Sequence, residues 1–127
     1  MIKAGAQRVA AAQGLILITP DTSPRGAAIA GESDSWDFGL AAGFYVDATQ
    51  APWNAHYRMY SYVLELLQTV MQALPVDASK IGIFGHSMGG HGALVLALRN
   101  PGSVPLGLCF RADLRAQPMP LGKEGIL

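Results

Sequence analysis

The stretch that decides the fold is residues 80–92, which read K-I-G-I-F-G-H-S-M-G-G-H-G. A short apolar run, Lys80 to Phe84, predicts a buried strand, and the apolar residues from Ala93 to Leu98 predict a helix. A Gly-rich turn, Gly85 to Gly90, lies between them. A chain that passes from strand to helix within so few residues strains the backbone of the residue at the bend, which here is Ser87.

Residues 85–89 match the pattern G-x-S-x-G, which is typical of a nucleophile elbow. We expect that only residues without a Cβ fit two positions before and two after the serine, so Gly85 and Gly89 are predicted to be sterically required. The turn would expose the Ser87 hydroxyl at a helix N-terminus, where free N–H groups favour negative charge. The backbone N–H of Met88 is then a candidate half of an oxyanion hole. The alternative is an ordinary capping serine in a Gly-rich turn.

A nucleophilic serine needs a base within hydrogen-bond reach and an acid that orients the base. His91 is the only histidine after Ser87, and it lies on the helix that leaves the turn, where its ring cannot reach the hydroxyl. His86 and His56 are predicted to be structural or surface groups. The carboxylates after Ser87 are Asp113 and Glu124. We assign Asp113 no catalytic role and expect that the base and the acid are missing from this sequence.

The segments before this stretch alternate between helix and strand. Ala4 to Gln13 predicts a helix that stops at Gly14, and Leu15 to Ile18 predicts a strand buried on both faces. Asp21 to Pro52 is long and irregular, as functional loops are. A second helix is predicted between Asn54, its N-cap, and Pro75. Its apolar face is formed by Tyr60, Val63, Leu64, Leu67, Val70, Met71 and Leu74.

This order predicts an α/β fold with parallel strands flanked by helices. The second helix and the loop before it carry four tyrosines, which we interpret as packing residues rather than a stacking surface. They are Tyr45, Tyr57, Tyr60 and Tyr62. His86 and His91 are five residues apart and do not have metal-ligand spacing, and the Gly-rich turn lacks the lysine of a phosphate loop. We therefore expect neither a metal nor a cofactor.

The composition excludes several classes of protein. Of 127 residues, 50% are apolar and 14% are charged, with nine basic residues balancing nine acidic ones. Intrinsic disorder and binding to nucleic acid or an acidic membrane surface are therefore not expected. Cys109 is the only cysteine and neither a secretory signal nor a membrane span is recognised, which favours a reducing cytosol. So few charges are typical of the interior of a larger protein, and we expect the chain to be a fragment.

Several stretches together resemble the S-formylglutathione hydrolase family, also called the esterase D family. They are residues 20–26 (PDTSPRG), 31–32 (GE), 35–39 (SWDFG), 43–49 (GFYVDAT), 52–53 (PW), 57–62 (YRMYSY) and 84–93 (FGHSMGGHGA). The elbow alone fits any esterase, whereas the loop from Asp21 to Asp47 selects this family. The resemblance covers about Gly5 to Val104, and Ala41 departs from it where the family usually has glycine.

The resemblance implies part of an α/β-hydrolase fold and a cytosolic serine thioesterase. The family hydrolyses S-formylglutathione to glutathione and formate in formaldehyde detoxification, without a cofactor. Ser87 would be the nucleophile and the Met88 N–H one oxyanion donor. Residues 106–127 do not resemble the family, so we predict an α/β-hydrolase region over 1–105 and a divergent, irregular tail over 106–127.

Because the triad acid and histidine of the family have no counterpart here, we expect the isolated chain to be inactive. Two alternatives stay open. One is a related carboxylesterase or acyltransferase with the same elbow, and the other is a non-catalytic truncated product that associates through its apolar surface. A homodimer is compatible with the sequence but is not predicted by it.

Overall fold

The computed structural model describes residues 5–103 and 106–112, the latter by their backbone alone. The helices are α1 (Ala6–Ala12), α2 (Met59–Ala73) and α3 (Met88–Arg99). The strands are β1 (Ile83–Ser87) and β2 (Leu106–Ala112), and single 3-10 turns cover Trp53–Ala55 and Ala78–Lys80. The alternation of helix and strand that the sequence predicts is present in the second half of the chain.

The two strands are parallel, and α3 connects them and packs against both. Gly85 is opposite Cys109 and Ser87 is opposite Ala112 in the strand register. β1 begins at Ile83 rather than at Lys80, because Lys80 belongs to a 3-10 turn that is capped by Asp77, whose carboxylate accepts the N–H of Ser79. β1 is half-buried at best, so the fully buried strand expected from its apolar residues is not what the described residues form.

The first residues of the predicted tail are regular rather than irregular. Leu106–Ala112 form β2, with two irregularities in the pairing to β1. Residues 113–127 lie outside the described part of the chain, so the division at residue 105 stays a prediction.

The predicted strand from Leu15 to Ile18 is wrong for the structure described here. These residues have no regular secondary structure, and Leu15 is 63% exposed. A strand is stabilised by hydrogen bonds to a neighbouring strand, and no described residue pairs with this segment. The helix before it is confirmed: α1 ends at Ala12 with Gln13 as its C-cap, and Gly14 follows with a φ of +65°. The N–H of Leu15 donates to the carbonyl of Ala10 at 2.8 Å, so the chain leaves the helix at the predicted glycine.

α2 begins four residues later than predicted, since its N-cap is Arg58 rather than Asn54. Asn54 lies in a 3-10 turn and does not cap the helix. The carboxylate of Asp47 does so instead: it accepts the N–H of Ser61 at 3.0 Å and the hydroxyl of the same residue at 2.5 Å. The helix ends before Pro75 as predicted. The start of α2 is therefore fixed by a residue of the preceding loop that lies 14 positions before Ser61.

The irregular loop predicted from Asp21 to Pro52 is confirmed, and its backbone is held by its own polar groups. Ser23 is buried, and its hydroxyl donates to the carbonyl of Pro24 and accepts the N–H of Ala41 at 2.9 Å. Ala41 has a φ of +68°, a region that glycine occupies more readily than other residues. This backbone angle explains why glycine would be usual at the position.

The small core joins this loop to the two long helices. Its buried apolar residues are Ala42, Tyr57, Met59, Ala93, Leu96 and Ala97. The amide of Asn100 donates to the Tyr60 hydroxyl at 2.9 Å and to the carbonyl of Leu96 at 2.8 Å, so the end of α3 is tied to α2. Three of the four tyrosines pack within the fold as predicted, namely Tyr45, Tyr57 and Tyr60, whereas Tyr62 is 40% exposed.

Candidate active site at the strand-to-helix turn

Ser87 occupies the bend between β1 and α3. It is the last residue of the strand and the N-cap of the helix, with φ +54° and ψ −120°. A positive φ at a residue with a side chain costs about 1–3 kcal/mol and persists only where the surroundings impose it. Ser87 is exposed, and its side chain makes no capping hydrogen bond to the helix. Ser87 is therefore not the ordinary capping serine of the alternative interpretation, and its hydroxyl is presented to solvent.

The two glycines of the motif differ in what they contribute. A Cβ at Gly85 would collide with the carbonyl of Gly89 and lie 2.7 Å from the N of Gly90, so the requirement for glycine there is confirmed. A Cβ at Gly89 would meet no heavy atom of the described residues within 4 Å. The expected steric requirement at Gly89 is therefore wrong, because this residue faces open space while its backbone carbonyl approaches Gly85.

The Met88 N–H is the first of α3, where backbone donors have no carbonyl partner within the helix. The helix dipole adds partial positive charge at this end. Ser87 Oγ and the Met88 N–H thus belong to adjacent residues at the N-terminus of α3, and this end of a helix favours developing negative charge.

The three histidines do not complete the site. His91 is half-buried and its Nδ1 lies 3.1 Å from the carbonyl oxygen of Phe44, on the loop rather than at the elbow. His86 and His56 are exposed. Among the described residues, no hydrogen bond joins a histidine ring to Ser87. The expectation that His91 does not reach the hydroxyl is confirmed, and Asp113 and Glu124 lie outside the described residues.

The loop that carries Phe44 and Tyr45 contacts the first turn of α3. Both residues have positive φ, 51° and 56°, and the Phe44 ring meets the His91 ring edge-on at 6.3 Å between centroids. A Cβ at Gly92 would lie only 2.5 Å from a carbon of the Tyr45 ring. The sequence did not predict this contact. Its one signal was Gly92, a glycine in the helix that the elbow itself does not require.

A separate open groove of about 330 Å³ lies between the start of the long loop and α2. Arg25 pairs with Asp21 there at 2.6 Å and lowers the pKa of that carboxyl well below its usual value. Arg58 and Tyr62 also line the groove, whereas Ser87 does not. The groove is thus a surface feature apart from the elbow.

Within residues 5–103 and 106–112, no group of histidine, cysteine and carboxylate side chains could hold a metal ion. No helix in that part of the chain is long and apolar enough to cross a membrane.

The esterase family model, described as "Putative esterase", matches residues 1–120. The chain belongs to this esterase family. It is 62% identical over 123 residues to the S-formylglutathione hydrolase of Rattus norvegicus, covering 96% of the chain and 44% of that relative. It is 62% identical over 101 residues to the S-formylglutathione hydrolase of Mus musculus, covering 79% of the chain and 36% of that relative.

The fold is similar to that of a solved S-formylglutathione hydrolase from Agrobacterium tumefaciens. The TM-score is 0.71 at 50% identity, and the match covers 77% of the chain and 36% of the solved protein. The predicted α/β-hydrolase fold and the predicted resemblance are therefore confirmed. The chain spans less than half the length of these esterase relatives.

Proposed function

We propose that this esterase-family chain carries the nucleophile of a serine thioesterase that hydrolyses S-formylglutathione to glutathione and formate. The observation that supports this most strongly is the exposed hydroxyl of Ser87, held in a strained turn whose Gly85 tolerates no side chain. The relatives that are 62% identical are named for this reaction.

In the proposed reaction, Ser87 Oγ attacks the formyl carbon and its proton passes to a base. The carbonyl oxygen becomes an oxyanion that accepts the N–H of Met88. The C–S bond then breaks, and glutathione leaves as the thiolate, which takes up a proton. Water attacks the formyl ester next, releases formate and returns the proton to Ser87. Because a thiolate is a good leaving group, stabilising the oxyanion should matter more than protonating the sulfur.

We further propose that the 127-residue chain by itself hydrolyses S-formylglutathione only slowly. The ring of His91 binds the Phe44 carbonyl, and no other histidine follows Ser87 in the sequence. Without a base and its orienting acid, a serine hydrolase typically loses several orders of magnitude in kcat.

A chimera tests the function. The chain replaces the matching 123 residues of the rat relative, and hydrolysis of S-formylglutathione is measured for the chain alone, the chimera and the chimera with Ser87→Ala. We expect little turnover by the chain, turnover by the chimera within about tenfold of the rat protein, and a loss of about 10⁴-fold or more with Ser87→Ala. Ser61→Ala in the chimera is the control, since its hydroxyl bonds Asp47 away from the elbow. Turnover that survives Ser87→Ala would exclude Ser87 as the nucleophile.

The same chimera tests the related esterase, because a carboxylesterase would hydrolyse p-nitrophenyl acetate faster than the glutathione thioester. The non-catalytic truncated product concerns the chain alone, and size-exclusion chromatography tests whether that chain associates through its apolar surface. The cytosolic location and the absence of a nucleic-acid partner stay predictions from the sequence.

A further inference from the structure

The first turn of α3 is attached to a loop that lies more than 40 residues upstream. The Nδ1 of His91 is 3.1 Å from the carbonyl oxygen of Phe44. A carbonyl oxygen only accepts, so Nδ1 must carry the hydrogen and donate it. In an α-helix, the backbone N–H of residue 91 also donates to the carbonyl of residue 87. His91 therefore holds Ser87 through its main chain and the loop through its side chain.

The packing next to this hydrogen bond leaves little freedom. The Tyr45 ring lies against Gly92, where a Cβ would be 2.5 Å from the ring Cδ2 and 2.7 Å from Cγ. Phe44 and Tyr45 are both held at positive φ, a conformation that bulky residues adopt only when neighbouring contacts impose it. The loop and the helix thus fit together in one position.

The elbow needs such an external attachment. Ser87 supplies no side-chain cap to α3, and its own backbone is strained. The side chain of Ser87 therefore does not fix the direction of the first turn, which carries the Met88 N–H. We propose that His91 is a positioning residue: by donating Nδ1–H to the Phe44 carbonyl, it locks the first turn of α3 to the loop and so fixes the direction of the Ser87 hydroxyl and the Met88 N–H. The role in catalysis rests on the proposed function, whereas the lock does not.

Two substitutions that differ by one methylene test the lock in the 127-residue chain. In His91→Asn, the side-chain amide N–H can take the place of Nδ1–H. In His91→Gln, the amide reaches the position of Nε2 and cannot. Glutamine is the better helix former, so a purely structural effect on the helix would favour His91→Gln. The lock predicts the opposite order: His91→Asn should keep the first turn of α3 attached to the loop, and His91→Gln should not.

The readout is amide hydrogen exchange at residues 91–93 and at Val46, whose N–H donates to the carbonyl of Gly43 within the loop. We expect exchange about fivefold faster in His91→Gln at both places, as the loss of one ordinary hydrogen bond gives, and near-unchanged exchange in His91→Asn. Circular dichroism confirms that each variant is folded. Equal exchange in both variants, or faster exchange in His91→Asn alone, would overturn the lock.

Covalent labelling of Ser87 by a fluorophosphonate, measured in the chimera with the rat relative, adds the catalytic readout. In this single event the Oγ–P bond forms, the P–F bond breaks, fluoride leaves and the hydroxyl proton passes to a base, so turnover is not required. We expect labelling about tenfold slower in His91→Gln than in His91→Asn. If Ser87 is not labelled even in the chimera with His91 unsubstituted, the proposed function fails, while hydrogen exchange in the 127-residue chain still decides the lock. Equal labelling rates with unequal exchange would show that the lock does not position the nucleophile.

Discussion

The elbow and the N-terminal segment are both rich in apolar or small residues, yet they have opposite fates in the structure. In α3, Leu96 is 2% exposed and the first turn is attached to the loop at Phe44 and Tyr45. From α1 to Ile18, no described residue is buried, and the predicted strand has no partner. The two regions have similar apolar sequences, and they differ mainly in whether another part of the structure packs against them.

The difference shows what a pattern of apolar residues can and cannot specify. An apolar run indicates that a segment is suited to burial, but burial and strand pairing require a second element at the right place. The elbow carries its own constraint, because the contact between Gly85 and the Gly89 carbonyl is local in sequence. The bend is therefore encoded locally, whereas the attachment of α3 to the loop at Phe44 and Tyr45 is not.

The largest expected effect comes from Gly85→Ala. Its methyl group would collide with the backbone carbonyl of Gly89, which cannot move without displacing the start of α3. We expect a loss of about 4 kcal/mol in the free energy of unfolding, measured with urea. Gly89→Ala is the matched control: its methyl group faces open space at a helical position, so stability should be unchanged or rise by up to about 1 kcal/mol. Equal losses in both variants would contradict the steric account of the elbow.

A smaller effect is expected for Leu96→Ala. Removing a side chain that is 2% exposed leaves a cavity and should cost about 3 kcal/mol. Leu98→Ala on the same helix is the control, because Leu98 is 75% exposed and should change the stability by less than about 0.5 kcal/mol. Thermal unfolding of the two variants measures these changes. Similar losses of stability in Leu96→Ala and Leu98→Ala would contradict the burial pattern of α3.

Tyr57→Phe should have a moderate effect that depends on pH. The Tyr57 hydroxyl donates to Glu32 at 3.0 Å, and burial together with this hydrogen bond raises the pKa of Tyr57 to about 12. At neutral pH we expect a loss of about 1.5 kcal/mol in the free energy of unfolding. Because its pKa is raised, the Tyr57 hydroxyl keeps its proton to a higher pH in the folded state than in the unfolded state. Its contribution to the free energy of unfolding is therefore complete below pH 10 and is lost as the pH rises towards 12.

Urea unfolding at pH 8, 10 and 12 measures that dependence. The unsubstituted chain should lose more stability than Tyr57→Phe between pH 10 and 12. If the free energy of unfolding changed with pH equally in the two proteins, Tyr57 would not titrate as the structure indicates.

The smallest effect is expected in the N-terminal segment. Leu15→Ser replaces a side chain that is 63% exposed and lies outside any strand, so the free energy of unfolding should change by less than about 0.5 kcal/mol. A loss of 2 kcal/mol or more would mean that Leu15 to Ile18 are buried in solution, as the sequence pattern predicts and the structure does not show.

The features that could be predicted from the sequence are those with a local cause. Gly85 and Ser87 specify the elbow, Gly14 ends α1, and Pro75 follows the end of α2. The features that were missed depend on distant residues. Asp47 caps α2 by accepting the N–H of Ser61, which is 14 residues later in the chain. The carbonyl of Phe44 accepts a hydrogen bond from the ring of His91, which is 47 residues later.

Two further errors have the same origin. Gly89 was expected to be required because it belongs to the motif, but only the surrounding atoms show that a side chain would fit there. Leu106–Ala112 were expected to be irregular because residues 106–127 do not resemble the family, yet their backbone pairs with β1. Pairing between strands depends on backbone position, which the composition of one segment does not determine.

The most direct test of the central claim is to find which serine the fluorophosphonate labels in the chimera with the rat relative. Digestion and mass spectrometry locate the adduct. The strained turn predicts one phosphonylated peptide, carrying Ser87, and its disappearance in Ser87→Ala. An adduct at another serine of these 127 residues, or labelling that persists after Ser87→Ala, would contradict the assignment of the nucleophile.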